Sequence, residues 1–365
     1  NKAAGEMKER VAELVGERAK VMWVSTFHSA CVRILRKEAT LLGYTNAFTI
    51  YDQSDSLRLV TLVMRDLNLD EKRYAPRAVA SFISQAKNEL MGPADYLNQA
   101  KDHFQEIVAQ VFNVYQKRLS GANSMDFDDL ISKTVEVLQR FPEVKAKYRS
   151  RFRHVLVDEY QDTNVCQYRL VQHLTGHRAM FTAVGDDDQA IYAWRGATIE
   201  NLAKLTTDYP KIRLIKLEQN YRSSQRILAA ANQVISNNPK LFEKKLWSEH
   251  GTGDVITVTS MTNDEIEAEN VAMKISAARF EKQAQWKDFA ILYRGNHQAR
   301  VVEQAMRNLH IPYTISGGQS FFDKAEVRDV LSYLRLIANE DDDPAFIRAA
   351  TTPKRGIGQA TLQTL

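Results

Sequence analysis

The residues most able to do chemistry lie in the string "VLVDEYQDTN", residues 155–164. Val155, Leu156 and Val157 run directly into Asp158 and Glu159, and a third carboxylate, Asp162, follows. An unpaired carboxylate next to a core costs roughly several kcal/mol, so acids at the tip of a buried strand call for a partner. One arrangement supplies it. The first acid holds a hydrated Mg²⁺ against nucleotide phosphates, and the second orients and deprotonates an attacking water. A sheet supplies rigidity, and its C-terminal edge is where α/β proteins place ligands. The competing reading is an acidic helix cap, with Asp158 or Asp162 capping "NVCQYRLVQHL".

The string "AVGDDDQAIYAWRGA" (183–197) follows Asp158 at about 25 residues, the distance a strand–helix–strand unit requires. Gln189 is a neutral side chain that can bond both a phosphate oxygen and a water. Tyr192 and Trp194 offer flat faces for bases, with Arg195 beside them for phosphate, the usual recipe for single-stranded nucleic acid. Alternatively the aromatics are core residues and Asp186–Asp188 form a capped turn. A third string, "LEQNYRSSQRIL" (217–228), sends Arg222 off a strand end beside Tyr221. A cation near a helix start is poorly placed against the helix dipole, which favours an anionic partner there. Phosphoryl transfer uses such an arginine for charge stabilisation.

These side chains need rigid elements behind them. Strands are predicted at 21–26, 154–160, 180–185, 212–217, 255–260, 289–294 and 313–316, most of them too apolar to have one face in water. That pattern predicts parallel sheets covered on both sides by helices. Residues 29–150 read as almost wholly helical, with one short strand at 48–52, and look like a domain inserted into another. "TNDE" (262–265) matches a capping box opening a helix over 264–280, and a further helix is expected over 297–309. Val327, Val330, Leu331, Leu334 and Ile337 form a helical stripe expected to be core, and Asp341–Asp343 a solvated turn.

Bulk properties set outer bounds. The 365 residues, 44% hydrophobic and 26% charged, suit two or three globular domains. A net charge of +4 permits nucleic-acid binding without requiring it. No window suggests a membrane span or a signal peptide. Cys31 and Cys166 stand alone, without zinc or disulfide spacing, which fits a reducing cytoplasm. The chain opens at Asn1 already in helical periodicity and ends as abruptly, so it reads as a piece cut at both ends.

Taken in order, the strings resemble the motifs of superfamily 1A DNA helicases of the UvrD, PcrA and Rep type. "NKAA" (1–4), "STFHS" (25–29), "VLVDEYQDT", "GDDDQAIYAWRGA" and "QNYRSS" carry the resemblance, with "DFDDLI" (126–131) and "ILYRGNHQAR" (291–300) in support. The resemblance implies an α/β fold of RecA-like parallel-sheet motor domains, the P-loop NTPase fold, with inserted helical subdomains. The first motor would take residues 1–28 and 120–216, with 29–119 as its insertion. The second would start over 217–317, with 318–365 beginning its insertion.

It implies ATP and Mg²⁺ as cofactors, and 3′ to 5′ movement on single-stranded DNA and at single-strand/duplex junctions. Asp158 would hold Mg²⁺, Glu159 would activate water, and Gln189 would sense the γ-phosphate. Arg222 would be the arginine finger, and Tyr221 would pack on the adenine. Asn1, Lys2, Phe27, Tyr192, Trp194 and Arg195 would line the DNA track. Partners would be repair or replication accessory proteins, and the location the bacterial cytoplasm at the nucleoid. The family's phosphate loop and its later motifs do not occur in these residues, so the chain alone is expected to bind ATP poorly and to be inactive. Two rival readings are the motor of an AddA- or RecB-type helicase–nuclease and a non-catalytic DNA-binding module.

Overall fold

In the computed structural model, which describes residues 2–176, 180–193, 196–316, 324–357 and 361, two parallel ladders organise the first half of the chain. Strand β1 (Thr49–Tyr51) pairs with β2 (Ser124–Asp126), and β3 (Val155–Val157) pairs with β4 (Phe181–Ala183). Parallel neighbours need long crossovers, and helices provide both. Helices Gln53–Asp66, Pro76–Asn88 and His103–Gly121 lie between β1 and β2, and helix Val165–Thr175 lies between β3 and β4.

The described residues divide into two units, one within 1–218, 233–245 and 329–365, the other within 219–232 and 246–328. No described helix is long and apolar enough to cross a membrane.

The helical block in the first unit forms as expected, with β1 at the strand expected over 48–52, but β2 at Ser124–Asp126 is a second strand that the expectation for 29–150 did not include. Asp52 and Asp55 form a capping box at the start of helix Gln53–Asp66, and Pro76 opens the next helix, where its missing N–H costs nothing. Ile107, Val111 and Leu119 of helix His103–Gly121 face inward, with Leu59, Val63, Val79 and Ile83 from the other two helices. Each such buried side chain contributes about 1.5–3 kcal/mol.

The block is tied to its neighbours by a buried ion cluster. Lys87 Nζ donates to Asp126 at 2.6 Å and reaches Asp129 at 3.0 Å, where helix Phe127–Arg140 begins. Asn88 donates to Asp128, and Asn164 donates to Asn88, so the same helix end also holds the cap of helix Val165–Thr175.

Cys31 and Cys166 are free thiols in one core with Leu35, Leu130, Val137 and Leu170. Burial pushes the Cys31 thiol up to about 12, and burial likewise raises Cys166. Reactive cysteines need exposed thiolate. Neither residue is therefore expected to take up iodoacetamide at pH 8 in the folded protein, and both should do so after unfolding in urea. Mass spectrometry of the alkylated protein checks this.

Several expectations need correction. Residues 21–26, 212–217, 255–260, 289–294 and 313–316 pair in no ladder among the described residues. Val258 and Leu292 are each 93% exposed, and Leu156 in β3 is also exposed, so these runs are not covered on both sides. An apolar run specifies extended backbone, whereas a ladder also requires a neighbour in register.

The helix expected from 264 runs over Asp264–Glu281, but Asn263, not Thr262, caps it by accepting the Ile266 N–H. The stripe on helix Ala325–Ala338 is not core. Val330, Leu334 and Ile337 are exposed, while Ser332 is buried. The reason is electrostatic: Arg335 on the opposite face bridges Asp55 and Asp342, and Asp329 pairs with Arg348. Asp342 is accordingly fully buried and caps helix Asp343–Thr351, whereas Asp341 and Asp343 are exposed, so the solvated-turn expectation fails at Asp342.

Candidate functional site

The β3–β4 register decides what meets. Val157 lies opposite Ala183, so the turns after the two strands leave the sheet side by side. The ladder extends one step further through Val184 N–H to the Val157 carbonyl (2.9 Å) and Tyr160 N–H to the Val184 carbonyl (2.8 Å). Asp158 and Glu159 occupy the first turn, and Asp186 to Gln189 the second.

Glu159 stands in left-handed backbone, with φ 51°, a conformation uncommon outside glycine and frequent at functional sites. Its N–H donates to Asp158 Oδ1 at 3.0 Å, and both side chains are exposed. Neither Asp158 nor Asp162 caps the following helix. Asn164 does that, by accepting the Gln167 N–H, which removes the capping explanation for Asp158 and Asp162. Asp162 has a buried Oδ1 without a hydrogen-bond partner, and burial followed by the charge of Glu159 raises its pKa.

In the second turn Asp186 caps a short 3₁₀ turn, Asp187–Gln189, so the capped-turn reading of the three acids is partly right. Gln189 is exposed and donates through Nε2 to Asp186 Oδ2 at 2.7 Å. The carboxyl oxygens of Asp186, Asp187 and Asp188 lie within 4.8 Å of one another, as a metal site would require. Lys244 already fills the space, bonding Asp186 at 2.5 Å, Asp188 at 3.2 Å, and Asp187. Burial opposes the Lys244 charge, but the hydrogen bonds it donates to Asp186 and Asp187 outweigh burial and hold the ammonium above the ordinary lysine range. Asp187 also accepts the N–H groups of Leu241 and Phe242.

The two turns are joined by one side chain. Gln161 donates through Nε2 to Glu159 Oε2 at 2.8 Å and accepts the Asp186 N–H on Oε1 at 3.0 Å. Neither Gln161 nor Lys244 stood out in the sequence. Gln161 lies only two residues beyond Glu159, a spacing at which a tight turn can fold one side chain onto the other. Lys244 lies 58 residues beyond Asp186, and no local signal points to it.

For a divalent cation Asp158 is a suitable ligand, being an exposed, acceptor-only oxygen donor at a strand tip. Among the DNA-track candidates, Phe27 is half-buried between two cores just after the cap Thr26, and Tyr192 is 37% exposed. Asn1, Trp194, Arg195 and the Lys2 side chain lie outside the described residues.

Arg222 and Tyr221 belong to the second unit and are exposed there. Asn220 Oδ1 accepts the N–H groups of Arg222 (2.9 Å) and Ser223 (2.8 Å), a turn that fixes the backbone and leaves the guanidinium on the surface. Tyr221 donates its hydroxyl to Gln219, and its carbonyl accepts from His250 Nε2.

Residues 1–210 match the family model described as the UvrD/REP helicase N-terminal domain, and residues 215–365 match the UvrD-like helicase C-terminal domain. The ATP-dependent DNA helicase UvrD1 of Mycobacterium tuberculosis is 49% identical over 98% of this chain and 48% of its own length. The ATP-dependent DNA helicase Rep of Escherichia coli is 48% identical over 100% of this chain and 54% of its own length. The ATP-dependent DNA helicase PcrA of Staphylococcus aureus is 45% identical over 100% of this chain and 50% of its own length. The chain thus spans about half the length of the curated relatives it matches.

Proposed function

We propose, from the premise that this chain belongs to the UvrD/Rep family of DNA helicases, that it carries the hydrolytic half of an ATP-driven DNA motor. The observation that carries this reading is the hydrogen-bonded chain from Glu159 through Gln161 and Asp186 to Gln189. It joins Glu159 and Gln189 at adjoining tips of a parallel sheet, which supports reading them as a base for water and a neutral phosphate-sensing side chain. The motor moves 3′ to 5′ on single-stranded DNA and opens duplex at junctions, in repair or replication, in the bacterial cytoplasm. Residues 1–28 and 120–216 make the first RecA-like motor domain, and 217–317 begin the second. Helical subdomains are inserted at 29–119 and from 318.

In the hydrolytic step Glu159 accepts a proton from water as the water oxygen attacks the γ-phosphorus. The bond from that phosphorus to the β–γ bridging oxygen breaks, and ADP and phosphate leave. Asp158 would hold Mg²⁺, which would supply charge neutralisation at the phosphates. Gln189 contacts the γ-phosphate, Arg222 stabilises the charge of the transferring group, and Tyr221 packs on the adenine. Asn1, Lys2, Phe27, Tyr192, Trp194 and Arg195 contact the DNA strand by stacking and phosphate bonding.

The test is DNA-stimulated ATP hydrolysis by a full-length protein carrying this chain. Arg222→Ala is expected to lower kcat by about 10³-fold, the low end for an arginine finger, with nucleotide binding retained. Arg222→Lys should recover little, because an ammonium cannot reproduce the planar fork. Unstimulated turnover in the wild type, or full activity in Arg222→Ala, would overturn the reading.

A further inference from the structure

The mechanism above uses Glu159 and Gln189 but assigns nothing to the side chain between them. Gln161 is 1% exposed, and both ends of its carboxamide are committed. The Glu159 carboxylate can only accept, so it must face the amide NH₂. The Asp186 backbone N–H can only donate, so it must face the amide oxygen. The partners therefore fix the amide orientation. Packing fixes its place, because a Cβ on Gly185 would lie 3.0 Å from Gln161 Oε1.

Asp186 passes the link outward. Its Oδ2 accepts from Gln189, and its Oδ1 accepts from Lys244 at 2.5 Å. The charged groups facing this link are Asp158 and Asp162 on the β3 turn, with Asp186, Asp187, Asp188 and Lys244 on the other side.

We propose that Gln161 is a positioning residue that couples the two turns. It holds the Glu159 carboxylate ready for water only while the Gln189 loop sits in its hydrogen-bonded place. The proposal rests on Glu159 acting as the base. A shift of the Gln189 loop then reaches the base through a single rigid amide, and hydrolysis follows the state of the loop. A buried amide with a merely structural role would stabilise the fold and leave the pH dependence of turnover unchanged.

The test uses a full-length protein carrying this chain, with ATP and a single-stranded oligonucleotide. Stimulated hydrolysis by the wild type is the control, and its absence would refute the helicase reading rather than the coupling. Gln161→Glu places a second carboxylate against Glu159, so the acid limb of its kcat–pH profile should move up by about one unit or more. Gln161→Ala should lower DNA-stimulated kcat by about 10- to 100-fold, with the KM for ATP within about twofold of wild type. Gly185→Ala, which crowds the amide but leaves it in the sequence, should reduce DNA stimulation in the same direction and covers the case in which Gln161→Glu does not fold. A Gln161→Glu profile that overlays the wild type, or unchanged DNA stimulation in Gly185→Ala, would overturn the coupling.

Discussion

Glu159→Gln in a full-length protein carrying this chain is expected to keep ATP and DNA binding and to lose DNA-stimulated hydrolysis by about 10²- to 10⁴-fold, the range of a lost general base. The local structure supports binding without turnover. Glu159 accepts one hydrogen bond from Gln161, and the carboxamide oxygen of a glutamine can accept the same bond from the same backbone. The left-handed backbone at 159 is held by the turn around it, with the Asp162 N–H donating to the Glu159 carbonyl, and a glutamine meets the same backbone constraint. Only the capacity to take a proton is lost. Equilibrium binding of a fluorescent ATP analogue alongside steady-state hydrolysis measures both halves of the claim. Near-normal turnover in Glu159→Gln would remove the base assignment and the coupling that depends on it.

The second large effect is on stability. Lys87→Met is expected to destabilise the first unit by about 3–5 kcal/mol, since it strands two buried carboxylates without their cation. Lys87 is 3% exposed, Asp126 6% and Asp129 1%, so solvent cannot compensate. Burial alone would raise the Asp126 pKa, but the Lys87 ammonium and the hydrogen bonds it receives hold it below the usual carboxylate range. Such a depressed group stabilises the fold above its unfolded pKa of about 3.9, and that contribution fades as pH falls through the folded value.

Without Lys87 the sign reverses. Uncompensated carboxylates bind protons more readily in the folded state, so lowering the pH should restore stability. Asp128 beside them shows the tendency already, pushed up to about 6 by burial and by Asp126. The gap between Lys87→Met and wild type in urea unfolding should therefore narrow from pH 7 to pH 5. A gap that stays constant or widens would refute the account.

Much of the site is written locally. The apolar run 155–157 followed by two acids fixes a strand tip bearing Asp158 and Glu159, and the Gly–Asp–Asp–Asp–Gln string fixes the matching turn. Both signals depend on neighbouring residues only, and the parallel pairing of β3 with β4 joins them. The helical block was legible for the same reason. Its caps and its inward stripes recur at the spacing of one helix turn.

What the sequence did not determine involves polar groups meeting over long separations. Arg335 reaches Asp55 across 280 positions and turns an apolar helical stripe outward, and Lys244 enters a triad of acids that resembled a metal site. Lys87 finds Asp126 and Asp129 about 40 residues away. Periodicity reports which face of an element is apolar, but a buried charge goes wherever a counter-charge can satisfy it. Local motif and spacing thus picked out Asp158, Glu159 and Gln189, which the fold brings to adjoining turns. The three-dimensional fold alone decided that Gln161 would stand between them, because a hydrogen bond is set by distance and direction in space rather than by order along the chain.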